Sequence, residues 1–168
     1  MSKNRRILLI STILALAMMP ILLRRRYRKK SIIIFFLSAI FNSVLSHILI
    51  AKNYFSQPSR YFHKYFISNI LYDWLVLPLI AVLYCQATAS AGAVISTSYA
   101  VALSSFQALL EYWMLIDTSL IKYNEKKWSI WHTLITLILY KVILMKGTWW
   151  FLGKLDKHFK GTIIDEVI

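Results

Sequence analysis

Five times between Ile7 and Leu144 the chain stays apolar for close to the length that crosses a bilayer, and no other feature constrains its fold as much. A hydrocarbon core roughly 30 Å thick takes about 20 helical residues. The runs are residues 7–23, 32–51, 67–84, 93–116 and 128–144. Backbone polar groups in hydrocarbon have no water to bond, so each run is predicted to be a helix that satisfies its own hydrogen bonds. The expected fold class is all-α, an integral membrane helical bundle of about five transmembrane helices. Residues 1–153 form the multi-pass transmembrane domain and residues 154–168 a polar C-terminal tail, which mixes Lys154, Lys157 and Lys160 with Asp156, Asp165 and Glu166.

Composition agrees. With 58% hydrophobic and 16% charged residues, a 168-residue globule could not cover its own surface with polar groups, so lipid is the expected solvent. The net charge of +13 could suggest nucleic acid, but the Lys and Arg residues fall between the apolar blocks, where they read as headgroup anchors. No nucleic-acid partner is expected. The single cysteine, Cys85, excludes an intrachain disulfide and reads as a small apolar filler.

Arg5 and Arg6 ahead of the first run resemble a signal peptide. No small-x-small site follows, however, and the run ends in Arg24, Arg25, Arg26, Arg28, Lys29 and Lys30. So many cations resist translocation and would contact anionic lipid headgroups, so the first run is read as a retained helix. Their excess over Lys3, Arg5 and Arg6 favours this linker in the cytoplasm and the N-terminus outside. Summed over all connections the balance is only ten cations against nine.

An antiparallel succession of spans brings the end of the second, the start of the third, the end of the fourth and the start of the fifth to one leaflet. Those places hold His47, Asp73, Glu111 and His132, each about 7–10 Å inside its boundary by helical rise. Asp73 and Glu111 are the only acids inside the apolar runs. Ionisable groups there are costly and mark function or specific pairing. Each has a polar neighbour one turn away: Ser43 for His47, Asn69 for Asp73, Gln107 for Glu111 and Thr136 for His132. Gly92, Ser96, Ala100, Ser104 and Ala108 recur every four residues on the fourth run, a stripe that lets helices approach closely. Pro78 cannot bond the carbonyl of Trp74, so a kink or hydrated pocket is expected beside Asp73.

Three readings of the polar layer stand. It could be a structural hydrogen-bond layer setting helix register. It could be a proton-coupled or substrate site, since a buried carboxylate can exchange a proton near neutral pH. Two His with two carboxylates are also a reasonable metal ligand set, although no pair sits at His-x-x-x-His or Glu-x-x-His spacing. Tyr72, Trp74, Tyr112, Trp113, Trp128 and Trp131 read as an interfacial belt, with Trp149 and Trp150 at the opposite face. Lys141, near the end of the fifth run, is expected to snorkel toward Lys146. Nucleophile elbows, phosphate loops, paired cysteines and His-Glu-x-x-His helices do not occur, so neither an enzyme nor a cofactor is expected.

The segments LYDWLVLPLIAVLYCQ, LLEYWMLIDTSLIKY and WSIWHTLITL together resemble an uncharacterised family of small multi-pass membrane proteins from endospore-forming bacteria. The matching positions are Tyr72, Asp73, Pro78, Tyr84, Gln86, Glu111, Trp113, Thr118, Leu120, Ile121, Tyr123 and Trp128. The resemblance covers roughly residues 60–145; the first two runs match only as apolar blocks with a basic linker. It implies a multi-pass fold resident in the bacterial cell membrane, and no activity. Two functions are therefore expected as alternatives. One is a non-catalytic membrane component that assembles with itself or with another membrane protein. The other is a small proton-coupled transporter or ion- or metal-binding membrane protein using Asp73 and Glu111.

Overall fold

The computed structural model describes residues 3–20, 25–58, 69, 71–118 and 120–165. Residues 21–24, 67, 68 and 70, which include Arg24 and the edges of two expected spans, lie outside the described residues. Helix α1 spans Lys3–Met18, and a 3₁₀ turn at Arg25–Tyr27 leads into α2, Arg28–Ala51. A two-residue strand β1 follows at Phe55–Ser56. A π-helical turn, Tyr72–Val76, opens into α3, Leu77–Ala87. Helix α4 covers Ala93–Asp117 and strand β2 Lys122–Tyr123. Helix α5, Ile130–Leu139, passes through a second π turn at Tyr140–Met145 into α6, Lys146–Asp165.

The fold is all-α apart from the two short strands. Among the described residues, three helical stretches are long and apolar enough to cross a membrane: Arg28–Ala51, Ala93–Asp117 and Ile130–Leu155. The stretches Arg6–Met18 and Tyr72–Ala87 are shorter apolar helices. The last stretch overruns the expected end at residue 144, and α6 continues through the 153/154 boundary without a break. Residues 154–165 contain no proline and only Gly161, so nothing in them stops a helix.

The first π turn has a visible cause. Pro78 has no N–H for the Trp74 carbonyl, and just before it the ladder widens so that the Leu77 N–H reaches back five residues to Tyr72. In the second, the Lys146 N–H reaches Lys141 in the same manner.

Helix α2 packs along α3 and its π turn, and α4 packs along α5. The main core joins Ala15, Ile34, Leu79, Val82, Tyr84, Ala100, Tyr140, Met145 and Trp149. A smaller cluster of Leu8, Leu120 and Ile121 seats the start of α1 beside the loop after α4. Cys85 is buried, its thiol aimed at the Met145 carbonyl 3.5 Å away.

The loops after α2 and α4 are clipped together. Strands β1 and β2 pair antiparallel, Phe55 opposite Tyr123 and Ser56 opposite Lys122. The Asn124 N–H donates to the Tyr54 carbonyl at 2.9 Å, and the Asn124 carboxamide to the Asn53 carbonyl at 3.1 Å. Asn53 makes the turn with a positive φ of 55°, which asparagine tolerates better than most residues. At the opposite end the ring of Tyr27 meets Trp149 edge-on at 5.4 Å, and Lys30 lies 5.8 Å over Trp149. Lys146 there donates to the Thr88 carbonyl just past α3, the favoured place for a cation at a helix C-terminus.

Candidate functional site

Beneath the β1–β2 clip lies a cavity of about 90 Å³ whose lining includes both Asp73 and Glu111. The two acids come from different elements, Asp73 from the π turn before α3 and Glu111 from α4. Asp73 is buried, and the Ser46 hydroxyl of α2 donates to its Oδ1 at 3.1 Å. Glu111 is half-buried and accepts on both oxygens. The Tyr72 hydroxyl donates to Oε1 and the Tyr123 hydroxyl to Oε2, each at 3.1 Å.

Tyr123 continues the network into α5. Its oxygen lies 3.0 Å from the hydroxyl of Thr133, and the Trp128 indole N–H donates to that hydroxyl at 2.9 Å. Since Tyr123 gives its proton to Glu111, Thr133 must donate to Tyr123, which makes one directed chain from Trp128 to the carboxylate. Burial, and then the negative charge of Glu111, push the Tyr123 phenol well above its ordinary value of 10, so it stays a donor. On the loop side of the acids, the Gln57 side chain accepts the Asn69 N–H, while the Asn69 carbonyl accepts from the Asp73 N–H at 3.0 Å. Asn69 thus supports Asp73 through its backbone.

A second polar layer sits deeper. Lys141 is 1% exposed and donates to Gln107 Oε1 at 2.5 Å and Ser104 Oγ at 3.0 Å, both on α4. The snorkelling expected for Lys141 is therefore corrected. The helix from Ile130 runs on to Leu155, so Lys141 lies about 16 Å from the Ile130 end, near the middle of that stretch, and the π turn aims it inward. Gln107 consequently serves Lys141 rather than bonding Glu111 directly. It stands one turn from Glu111.

The two histidines are not part of the cavity. His47 Nδ1 bonds the Ser43 carbonyl of its own helix at 2.7 Å. His132 is exposed and forms a capping box with Ser129, whose N–H donates to its Nδ1 at 3.2 Å. Both miss by one residue: the neighbours Ser46 and Thr133 hold the inward positions. Among the described residues, no three of His, Cys, Asp and Glu gather as a metal site would require.

Ser96, Ala100, Ser104 and Ala108 of the small-residue stripe are buried within the single chain, whereas Gly92 is exposed at the N-cap of α4. Of the expected aromatic belt, Trp74, Tyr112, Trp113, Trp131 and Trp150 are exposed, but Tyr72 and Trp128 line the cavity and Trp149 is buried. Arg26, Arg28 and Lys29 of the basic linker are exposed.

Sequence reasoning missed a polar ridge on α2. Ser31, Ser38, Asn42 and Ser46 are all buried, at intervals of seven, four and four, which is one helix face. Gln86 of α3 donates to Ser31 at 2.8 Å, Asn42 donates to the Tyr140 oxygen at 3.4 Å, and the hydroxyls of Ser38 and Tyr140 share a hydrogen bond. The spacing is legible in the sequence, on the helix face adjacent to that of His47.

A volume of about 90 Å³ equals about three waters at ~30 Å³ each, far below the ~300–1,000 Å³ of organic ligand pockets. The cavity suits water, a proton or a small ion. Comparison with family models, curated proteins and solved structures gave no match to this chain.

Proposed function

We propose that this chain is a five-pass integral protein of the bacterial cell membrane, akin to the endospore-former family it resembles, and a non-catalytic membrane component whose polar layers hold its helices in register. The membrane reading is supported by an inverted distribution of side chains. Ile33, Phe36, Ile40, Val44, Phe106, Leu109, Ile135 and Ile143 face outward while Ser38, Asn42, Ser46, Asp73, Ser104, Gln107 and Lys141 face inward. Water would penalise that arrangement and lipid favours it. The shorter apolar stretches, 13 and 16 residues, would cross as α1 and the π turn with α3.

The observation that carries the register role is that the interior side-chain bonds run between elements: α2 to the first π turn through Ser46–Asp73, α2 to α3 through Ser31–Gln86, the first π turn to α4 through Tyr72–Glu111, and α4 to the second π turn through Lys141. A second reading, proton or small-ion handling, is favoured by the pairing of two acids around a water-sized cavity. Asp73→Asn and Glu111→Gln separate the two. Under the register reading both near-isosteric variants stay folded in detergent and keep the parent's pH response in tryptophan fluorescence. A folded Asp73→Asn protein that has lost that response instead supports proton or ion handling and sinks the purely structural role.

A further inference from the structure

A second concavity, about 240 Å³, lies on the outer side of the β1–β2 clip. Its lining includes Lys122 and Lys127 with the polar side chains of Asn53, Ser56 and Asn124. Both lysines are exposed, Lys122 on strand β2 and Lys127 in the turn that follows it. Lys122 sits in register opposite Ser56, and Lys127 donates to the Lys52 carbonyl at 3.3 Å, which leaves two of its three ammonium protons for another acceptor. Asp117 and Glu125, the acids of the same connection, are exposed but do not line the groove. Two cations thus converge with carboxamide and hydroxyl groups on a space large enough for a tetrahedral oxyanion and part of what it is attached to.

From this juxtaposition we infer that the groove at the clip binds a phosphoryl anion, held by Lys122 and Lys127. Its level argues for the source. The groove opens where α2 ends at Ala51 and α4 ends at Asp117, the height at which lipid phosphates stand if these helices cross a bilayer. It is distinct from the basic linker Arg25–Lys30, which lies at the other end of α2. The lipid source rests on the membrane reading; the anion chemistry of the groove does not.

The test uses the full chain, after an alkaline carbonate wash of membranes has checked the membrane reading separately. Release by that wash overturns the membrane reading and removes lipid as the source, yet leaves the groove testable with a soluble probe. Unfolding midpoints are followed by tryptophan fluorescence in detergent with phosphatidylglycerol, with phosphatidylcholine and with soluble glycerol phosphate. A saturating probe is expected to raise the midpoint by roughly 5 °C. A shift with phosphatidylglycerol identifies a headgroup, and a shift with glycerol phosphate alone a free phosphate. In either case Lys122→Gln with Lys127→Gln abolishes the shift, Lys122→Arg with Lys127→Arg keeps it, and Lys126→Gln, at an exposed lysine of the same loop that does not line the groove, leaves it unchanged. The inference is overturned if neither phosphatidylglycerol nor glycerol phosphate shifts the parent beyond phosphatidylcholine, or if the double glutamine variant responds like the parent.

Discussion

At the scale of single residues, the polar layer turns on a rotation of one position. Successive residues on an α-helix point about 100° apart, so His47 and Ser46 cannot serve the same neighbour, nor can His132 and Thr133. In both pairs the smaller hydroxyl side chain faces the acids and the imidazole is turned aside. Packing supplies the reason: a hydroxyl fits against a buried carboxylate, whereas an imidazole needs room and a partner for its second nitrogen. Ser46→Ala removes the donor on Asp73 Oδ1 and is expected to cost about 1–3 kcal/mol. His47→Ala is expected to stay within about 0.5 kcal/mol, because the ring bonds only its own helix. Unfolding of both variants in mixed micelles checks the ordering, and equal losses would contradict it.

At the scale of elements, the π turns and the β clip shape the site. The turn before Pro78 sets the angle at which Tyr72 and Asp73 leave the helix, one toward Glu111 and the other toward Ser46. Proline inside a helix normally costs about 3 kcal/mol relative to alanine, so its removal would ordinarily stabilise. Pro78→Ala is expected to show no such gain in thermal unfolding, because a regular α turn misdirects both side chains; stabilisation near 3 kcal/mol would refute this. The clip contributes Tyr123, whose raised phenol means that the native state keeps its proton after the unfolded chain has released it. Stability attributable to this group therefore falls as pH rises above about 10, with a slope of up to about 1.4 kcal/mol per pH unit. Tyr123→Phe is expected to flatten that part of the profile, read from denaturation midpoints between about pH 9 and 11.

At the scale of the whole molecule, the small-residue stripe of α4 is spent inside the chain. Ala100 is fully buried in the main core, and Ser104 is engaged by Lys141. Self-association through this stripe, one of the expected modes of assembly, would require the bundle to open. Ala100→Leu should therefore overpack the monomer, lowering stability by about 1–3 kcal/mol, while the oligomeric state by size-exclusion chromatography is unchanged. A change in oligomer size with unaltered stability would return the stripe to intermolecular use.

The sequence by itself determined the all-α class, the long apolar helices and the convergence of four element ends at one side of the bundle, because apolar length and chain reversal are local and additive along the chain. It also pointed to Asp73 and Glu111, since acids in apolar runs stand out without any knowledge of neighbours. Only the tertiary structure decided which neighbours those acids meet. Helical azimuth depends on every π turn and every partner face, so a single π turn was enough to bring Lys141 to α4 and a single-residue rotation enough to replace two histidines by Ser46 and Thr133. The β clip that roofs the cavity joins residues 66 and 68 positions apart, a pairing that no local pattern in the two loops encodes.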